Sequence, residues 1–162
     1  MSHEYTYDIS MFRDTFETRF TYLNGFLRNV SRFGNRPALF APHSGRRWTY
    51  RELNAEANRL AHALRADGVG KNDVVMFTLL NSPEFVFCYL AAHKIGAVAC
   101  PVNYRQGAGE IALVIDDSTP KAFIYDAEFG ELSGGALDLC ESKPAIKIVV
   151  GADDAVPAGQ VR

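Results

Sequence analysis

What the sequence lacks narrows its class before any motif is considered. No apolar run approaches the ~20 residues that a bilayer-spanning helix needs. The opening MSHEYTYDISMF has no basic stretch leading into an apolar core, so no secretory leader is read there and the expected compartment is cytoplasmic. Cysteine is sparse and odd in number, with Cys88, Cys100 and Cys140 forming no CxxC pair. That favours reduced, mostly buried thiols over a disulfide framework or a zinc site. His3, His43, His62 and His93 share no metal-ligand spacing, so no metal residue is assigned. Charge of one sign is missing as well. A net charge of -2 over the chain offers no attraction to nucleic acid or to an anionic membrane.

What is present is a globular composition: 162 residues, 48% apolar and 22% charged, which is about one domain with enough chain to bury a core. The expected division is an N-terminal helical region over residues 1–35, an α/β unit over 36–151 and a polar, Gly/Pro-containing linker over 152–162. Phe12, Phe16, Phe20, Leu23, Phe26, Leu27, Val30 and Phe33 recur at helical spacing, so residues 11–33 read as one amphipathic helix. Its flanking charges are of both signs, which favours packing against a core or a partner over lying on a membrane. RPALF, PHSGR and RWTY read as a hairpin over residues 37–49. Thr49-Tyr50-Arg51-Glu52 is a capping box opening a helix that Asp67-Gly68 ends.

From residue 73 strands and helices alternate, which implies a mostly parallel sheet flanked by helices. DVVMFTLL and AVACPV read as strands buried on both faces. Ser82-Pro83-Glu84 is a helix start in which Ser82 is expected to cap, and Gly96 ends that helix. GEIALVIDDS, KAFIYD, residues 128–140 and AIKIVVG continue as helix, strand, helix and strand. The expected fold is therefore a layered, Rossmann-like or flavodoxin-like α/β domain with a small hairpin and an N-terminal amphipathic helix.

Phosphate and nucleophile motifs are wanting. Gly68-Val69-Gly70 follows a helix and opens a strand, the reverse of a dinucleotide fingerprint. Arg65 stands where a P-loop needs its first glycine, and Asn72 where it needs Ser or Thr. No G-x-S-x-G elbow occurs. Gly107-Ala108-Gly109 sits between a strand and a helix and is either a plain flexible loop or a backbone cradle for a phosphate. Asp116-Asp117 and Asp153-Asp154 read as solvated charges. No catalytic residue is assigned.

Two blocks carry a resemblance. WTYRELNAEANRLAHALRADGVGKNDVV, and NSPEFVFCYLAAHKIGAVACPVNYR with its Pro-x-Asn-x-Arg strand end, resemble consecutive segments of the adenylate-forming acyl-CoA synthetases. IDDSTPKAFIYDAEF is similar to the segment that follows. The resemblance spans roughly residues 30–151. It implies a ligase of the fatty-acid type that uses ATP and magnesium to form an acyl-adenylate and then passes the acyl group to coenzyme A. It also implies that this chain is the N-terminal subdomain of a longer protein, inactive alone, because the family's phosphate loop and adenine-binding motifs lie beyond the matched region. Family members often have proline where Tyr104 stands and Leu-Thr where Gln106-Gly107 stand. By resemblance Asn103, Tyr104 and Arg105 border the acyl and coenzyme A channel. Arg105 meets a phosphate of coenzyme A, or else forms a structural ion pair or stays solvated. The other open reading is a non-catalytic α/β interaction or regulatory module. No nucleic-acid partner is expected, and the exposed apolar helix face is expected to support a homodimer.

Overall fold

The computed structural model describes residues 9–151. The 152–162 linker, with Asp153 and Asp154, and His3 lie outside the described residues. Helix α1 spans Ile9–Phe12, α2 Tyr22–Phe33, α3 Tyr50–Ala66, α4 Pro83–Ile95, α5 Ala108–Ser118 and α6 Gly130–Leu139. Strands β1 and β2 are Pro37–Ala41 and Arg46–Thr49, and β3 to β6 are Val74–Thr78, Val98–Pro101, Ala122–Asp126 and Ile146–Val150.

Strands β3 to β6 form one parallel sheet in the order β4-β3-β5-β6. The chain runs outward from β3 to β4, then returns past β3 to β5. That reversal places α4 on one face and α5 with α6 on the other when every crossover is right-handed. The layered α/β fold expected from the alternation is what the chain adopts, and the strand order is that of flavodoxin-like sheets.

Side-chain alternation along β3 shows how the two faces are filled. Val75 and Phe77 enter a core with Ala61, Leu64, Cys88 and Ala91 of α3 and α4. Met76 enters the opposite core with Ile111, Ile115, Ala136 and Leu137 of α5 and α6. Both faces of β3 are thus dry, which explains its unbroken apolar sequence. β4 differs. The expectation of a strand buried on both faces fails there, because β4 is the sheet edge and Val98 is 50% exposed. Pro101, which has no N–H to donate, is tolerated at such an edge.

The capping box at α3 forms as expected: Thr49 Oγ1 accepts from the Glu52 amide, and the Glu52 carboxylate accepts from the Thr49 amide at 2.8 Å. These bonds hold the Glu52 carboxyl below its ordinary range. Gly96 ends α4 with φ +74°, a conformation that costs glycine little. Lys94 near that end donates to Asn54 Oδ1 at 2.7 Å, joining α4 to α3, and burial lowers its pKa.

One N-terminal expectation needs correction. Residues 11–33 are not one helix. A π-helical stretch, Arg13–Arg19, follows α1, and extended backbone at Thr21 breaks the run. Thr21 then caps α2, accepting from the Asn24 amide at 3.2 Å. The exposed apolar face expected on this segment is present on its first part: Phe26 reaches the core beneath Trp48 and Leu53, while Phe12, Phe16 and Phe20 stand exposed.

The start of α4 also departs from expectation. Ser82 occupies the cap position with extended backbone, but its hydroxyl makes no capping hydrogen bond and has no partner.

Candidate functional site

The reversal of strand order beside β3 leaves a crevice at the carboxyl ends of β3 and β4, where open α/β sheets gather ligands. Three segments close it. After β3 the chain turns through Leu80, Asn81 and Ser82 into α4. The β1–β2 turn brings Pro42, His43 and Ser44 over the top, with Gly45 at φ +67° allowing the reversal. After β4 comes Tyr104. Between them lies an open cleft of about 580 Å³. A smaller recess of about 190 Å³ sits beside it, lined by Leu79, Pro101, Val102 and Asn103. Asn81, Phe85 and Tyr104 line both, so they form the partition between the two spaces.

The three residues singled out in the sequence have different situations. Asn103 Oδ1 accepts from the Arg105 amide at 3.0 Å, so this side chain shapes its own loop. The Tyr104 ring stacks on Phe129 with centroids 5.0 Å apart and planes within 9°, tying the loop after β4 to the turn after β5. Its place in the partition makes it the residue of the three most exposed to any occupant of the cleft. Arg105 is exposed, lies over the Tyr104 ring at 5.8 Å, and forms no ion pair among the described residues. The structural ion pair held open for it is therefore not made.

Nothing in the sequence placed Pro42, His43, Ser44, Asn81 or Phe85 at a site. The PHSG turn was visible as a turn, but how a hairpin leans on a distant sheet edge has no local signature.

The phosphate-cradle reading of Gly107-Ala108-Gly109 does not fit the geometry. Gly107 caps α5, and its amide donates to the Glu110 carboxylate at 2.8 Å. Gly109 lies within the first helical turn. A carboxylate thus occupies the position a phosphate would need. Among the described residues no three His, Cys, Asp or Glu side chains converge to hold a metal ion. Asp116 is not merely solvated, because it accepts from the Ser142 amide at 2.7 Å and ties α5 to the loop before β6. Cys88 is no nucleophile, since burial, and then the nearby Glu84, push its thiol up to about 12.

The strand order and the carboxyl-edge cleft place the chain in the class of open α/β domains whose strand order reverses beside a crevice. Within that class it belongs to the AMP-binding enzyme family, whose model matches residues 26–161. A 3-hydroxybenzoate–CoA/4-hydroxybenzoate–CoA ligase of Thauera aromatica is 44% identical over 107 residues, 66% of this chain and 20% of that protein. The long-chain-fatty-acid–CoA ligase FadD13 of Mycobacterium tuberculosis is 42% identical over 90 residues, 56% of this chain and 18% of that protein. A solved Mycobacterium tuberculosis fatty acyl CoA synthetase superposes with a TM-score of 0.74 at 32% identity, covering 82% of this chain and 27% of that one. The chain spans about a fifth of the length of the curated relatives it matches. No helix among the described residues is long and apolar enough to cross a membrane.

Proposed function

We propose that this chain serves as the N-terminal part of a larger cytoplasmic ATP-dependent acid–CoA ligase and supplies one wall of its acyl and coenzyme A channel. The observation that carries this reading is the cleft itself, at the carboxyl edge of the sheet of an AMP-binding family member. Leu39, Leu80, Pro83 and Val86 give it a hydrocarbon lining suited to an acyl chain. Tyr104 divides the space, and Arg105, exposed and free of carboxylates, meets a phosphate of coenzyme A. The acid we assign is fatty rather than aromatic, because Leu39, Ala41, Leu80 and Val86 give this open cleft an aliphatic stretch of wall. ATP and magnesium are held by segments outside this chain, since Gly107 is committed to Glu110. The isolated chain is accordingly inactive. Two copies associate through the exposed Phe16 and Phe20 rings, and light scattering showing a monomer at high concentration would remove that part of the reading.

The test is acid-dependent exchange of labelled pyrophosphate into ATP, run on this chain and on the longer protein that carries it. The expected result is exchange by the longer protein with long-chain acids and none by this chain. Exchange by the chain alone would overturn its inactivity. Exchange with hydroxybenzoates in place of fatty acids would overturn the choice of acid. A silent longer protein across both acid classes would remove the ligase reading and favour the non-catalytic module.

A further inference from the structure

The loop after β4 is built without help from the side chain of Tyr104. The Gln106 amide donates to Asn103 O at 3.1 Å, which closes a turn over residues 103–106, and Asn103 Oδ1 accepts from the Arg105 amide at 3.0 Å. Tyr104 is the second residue of that turn, a position that suits proline because its ring presets φ. The acyl-CoA synthetases that this segment resembles often have proline there. The turn therefore accounts neither for a tyrosine nor for its size. The role of the ring lies in what it touches.

On one side it meets Phe129, with centroids 5.0 Å apart and planes within 9°, the offset-parallel form that aromatic pairs favour. Phe129 ends the short 3-10 helical turn Ala127–Phe129, which Asp126 starts by accepting from the Glu128 amide at 3.0 Å. The supporting ring is thus itself anchored to the end of β5. The Arg105 guanidinium lies 5.8 Å from the centre of the Tyr104 ring. What remains of the ring faces empty space. Tyr104 lines both the cleft of about 580 Å³ and the recess of about 190 Å³, whereas Phe129 lines neither. The tyrosine is therefore a wall and the phenylalanine a brace behind it. Beyond the wall, Leu79, Phe85, Pro101 and Val102 give the recess surface that suits hydrocarbon.

We propose that Tyr104 is the length-limiting residue for the acid. Braced on Phe129, its ring closes the recess to the terminal carbons of an acyl chain lying in the cleft, and a smaller side chain at this position opens the recess to a longer acid. The inference rests on the acid–CoA ligase reading above and deepens it, by assigning the far end of the acyl chain to one side chain of this protein. One methylene too many in an apolar pocket is rejected by about 10-fold or more, so a single ring is enough to set a limit.

The experiment is made on the longer protein that carries this chain, by measuring kcat and KM for saturated fatty acids of increasing length. Tyr104→Ala is expected to move the preferred acid to a longer one. Its kcat/KM for acids beyond the original limit should rise about 10-fold or more relative to shorter acids. The gain should lie in KM rather than kcat, because the ring meets the end of the chain and not the reacting carboxylate. Tyr104→Phe keeps the stacked ring and should restore the original limit, and Phe129→Ala, which removes only the brace, should give a smaller shift in the same direction as Tyr104→Ala. Tyr104→Leu takes the place of the alanine variant if that one melts early. An unchanged ratio between long and short acids in both small-residue variants, in a protein that still activates fatty acids, would overturn the proposal and leave the ligase reading standing. A change confined to the KM of coenzyme A would overturn it as well and assign the ring to that substrate. No pyrophosphate exchange with any acid would remove both readings together.

Discussion

The sheet layer and the N-terminal region use the same residue types to opposite ends. Phe77 and Phe123 in the sheet are fully buried, and Val75, Met76 and Ile124 close around the strands from both faces. Phe16 and Phe20, no less apolar, stand in solvent on a helical run broken at Thr21. The difference lies in neighbours and not in residue chemistry. A phenylalanine in β3 has a strand on either side and helices above and below, whereas α1 and the π-helical stretch have no second layer among the described residues. Apolar periodicity shows that a face exists, but not what covers it.

The comparison is tested most severely by truncating one ring from each region. Phe77→Ala should cost about 3–5 kcal/mol. That corresponds to a drop on the order of 10 °C in thermal unfolding for a chain of this size. Phe16→Ala should stay within about 0.5 kcal/mol, as surface changes usually do. A comparable loss at Phe16 would show that the N-terminal stripe is packed in solution, by a second copy or by its own chain.

A finer contrast sets the two hydroxyl residues at helix starts against each other. Thr49→Ala should lose about 1 kcal/mol, because its hydroxyl satisfies the Glu52 amide. Ser82→Ala should change stability by less than ~0.5 kcal/mol or raise it slightly, since its unpartnered hydroxyl gains nothing from being there. Equal losses in urea unfolding would mean that Ser82 does cap α4. The smallest effect concerns pH. The Gly70 amide, and next the Lys121 ammonium, hold the Asp73 carboxyl below its ordinary range. A lowered native pKa contributes stability above the unfolded value of about 3.9, and that contribution disappears as pH falls through the native value. Urea midpoints measured from about pH 5 downward should therefore decline less in Asp73→Asn than in the unchanged chain. Parallel declines would show that the bonds at Asp73 add nothing.

Much of the framework was legible because its signals are local. Thr49 and Glu52 are three residues apart, Gly96 needs its own φ, and each βαβ unit announces itself by a change of period. What escaped depends on distance. AVACPV has the composition of a central strand, yet β4 is an edge because β5 returns to the far side of β3. Ser82 and Thr49 look alike in sequence, and only the approach of the following amide separates a cap from an idle hydroxyl. Of the site, Tyr104 was noticed only because it lies between Asn103 and Arg105 in the Pro-x-Asn-x-Arg strand end. Its stacking partner Phe129 was not, because 24 residues and a whole helix lie between them.

The two ends of the sheet are fastened by different kinds of force. At the amino end, Lys121 Nζ donates to Gly68 O at 2.6 Å and to Asp73 Oδ2 at 2.9 Å, and that same carboxylate oxygen accepts from the Gly70 amide at 2.8 Å. Directional bonds of this kind fix strand register and resist displacement of a few tenths of an ångström. At the carboxyl end, the described link between the loops after β4 and β5 is the parallel pair of rings, Tyr104 on Phe129. Flat rings slide past one another at little cost, because dispersion falls off gradually and carries no preferred donor angle. The strands stay paired to their carboxyl ends, where the Val102 amide donates to Phe77 O at 2.9 Å, so any give lies in the loops beyond them, pinned at one end of the sheet and merely resting against each other at the other.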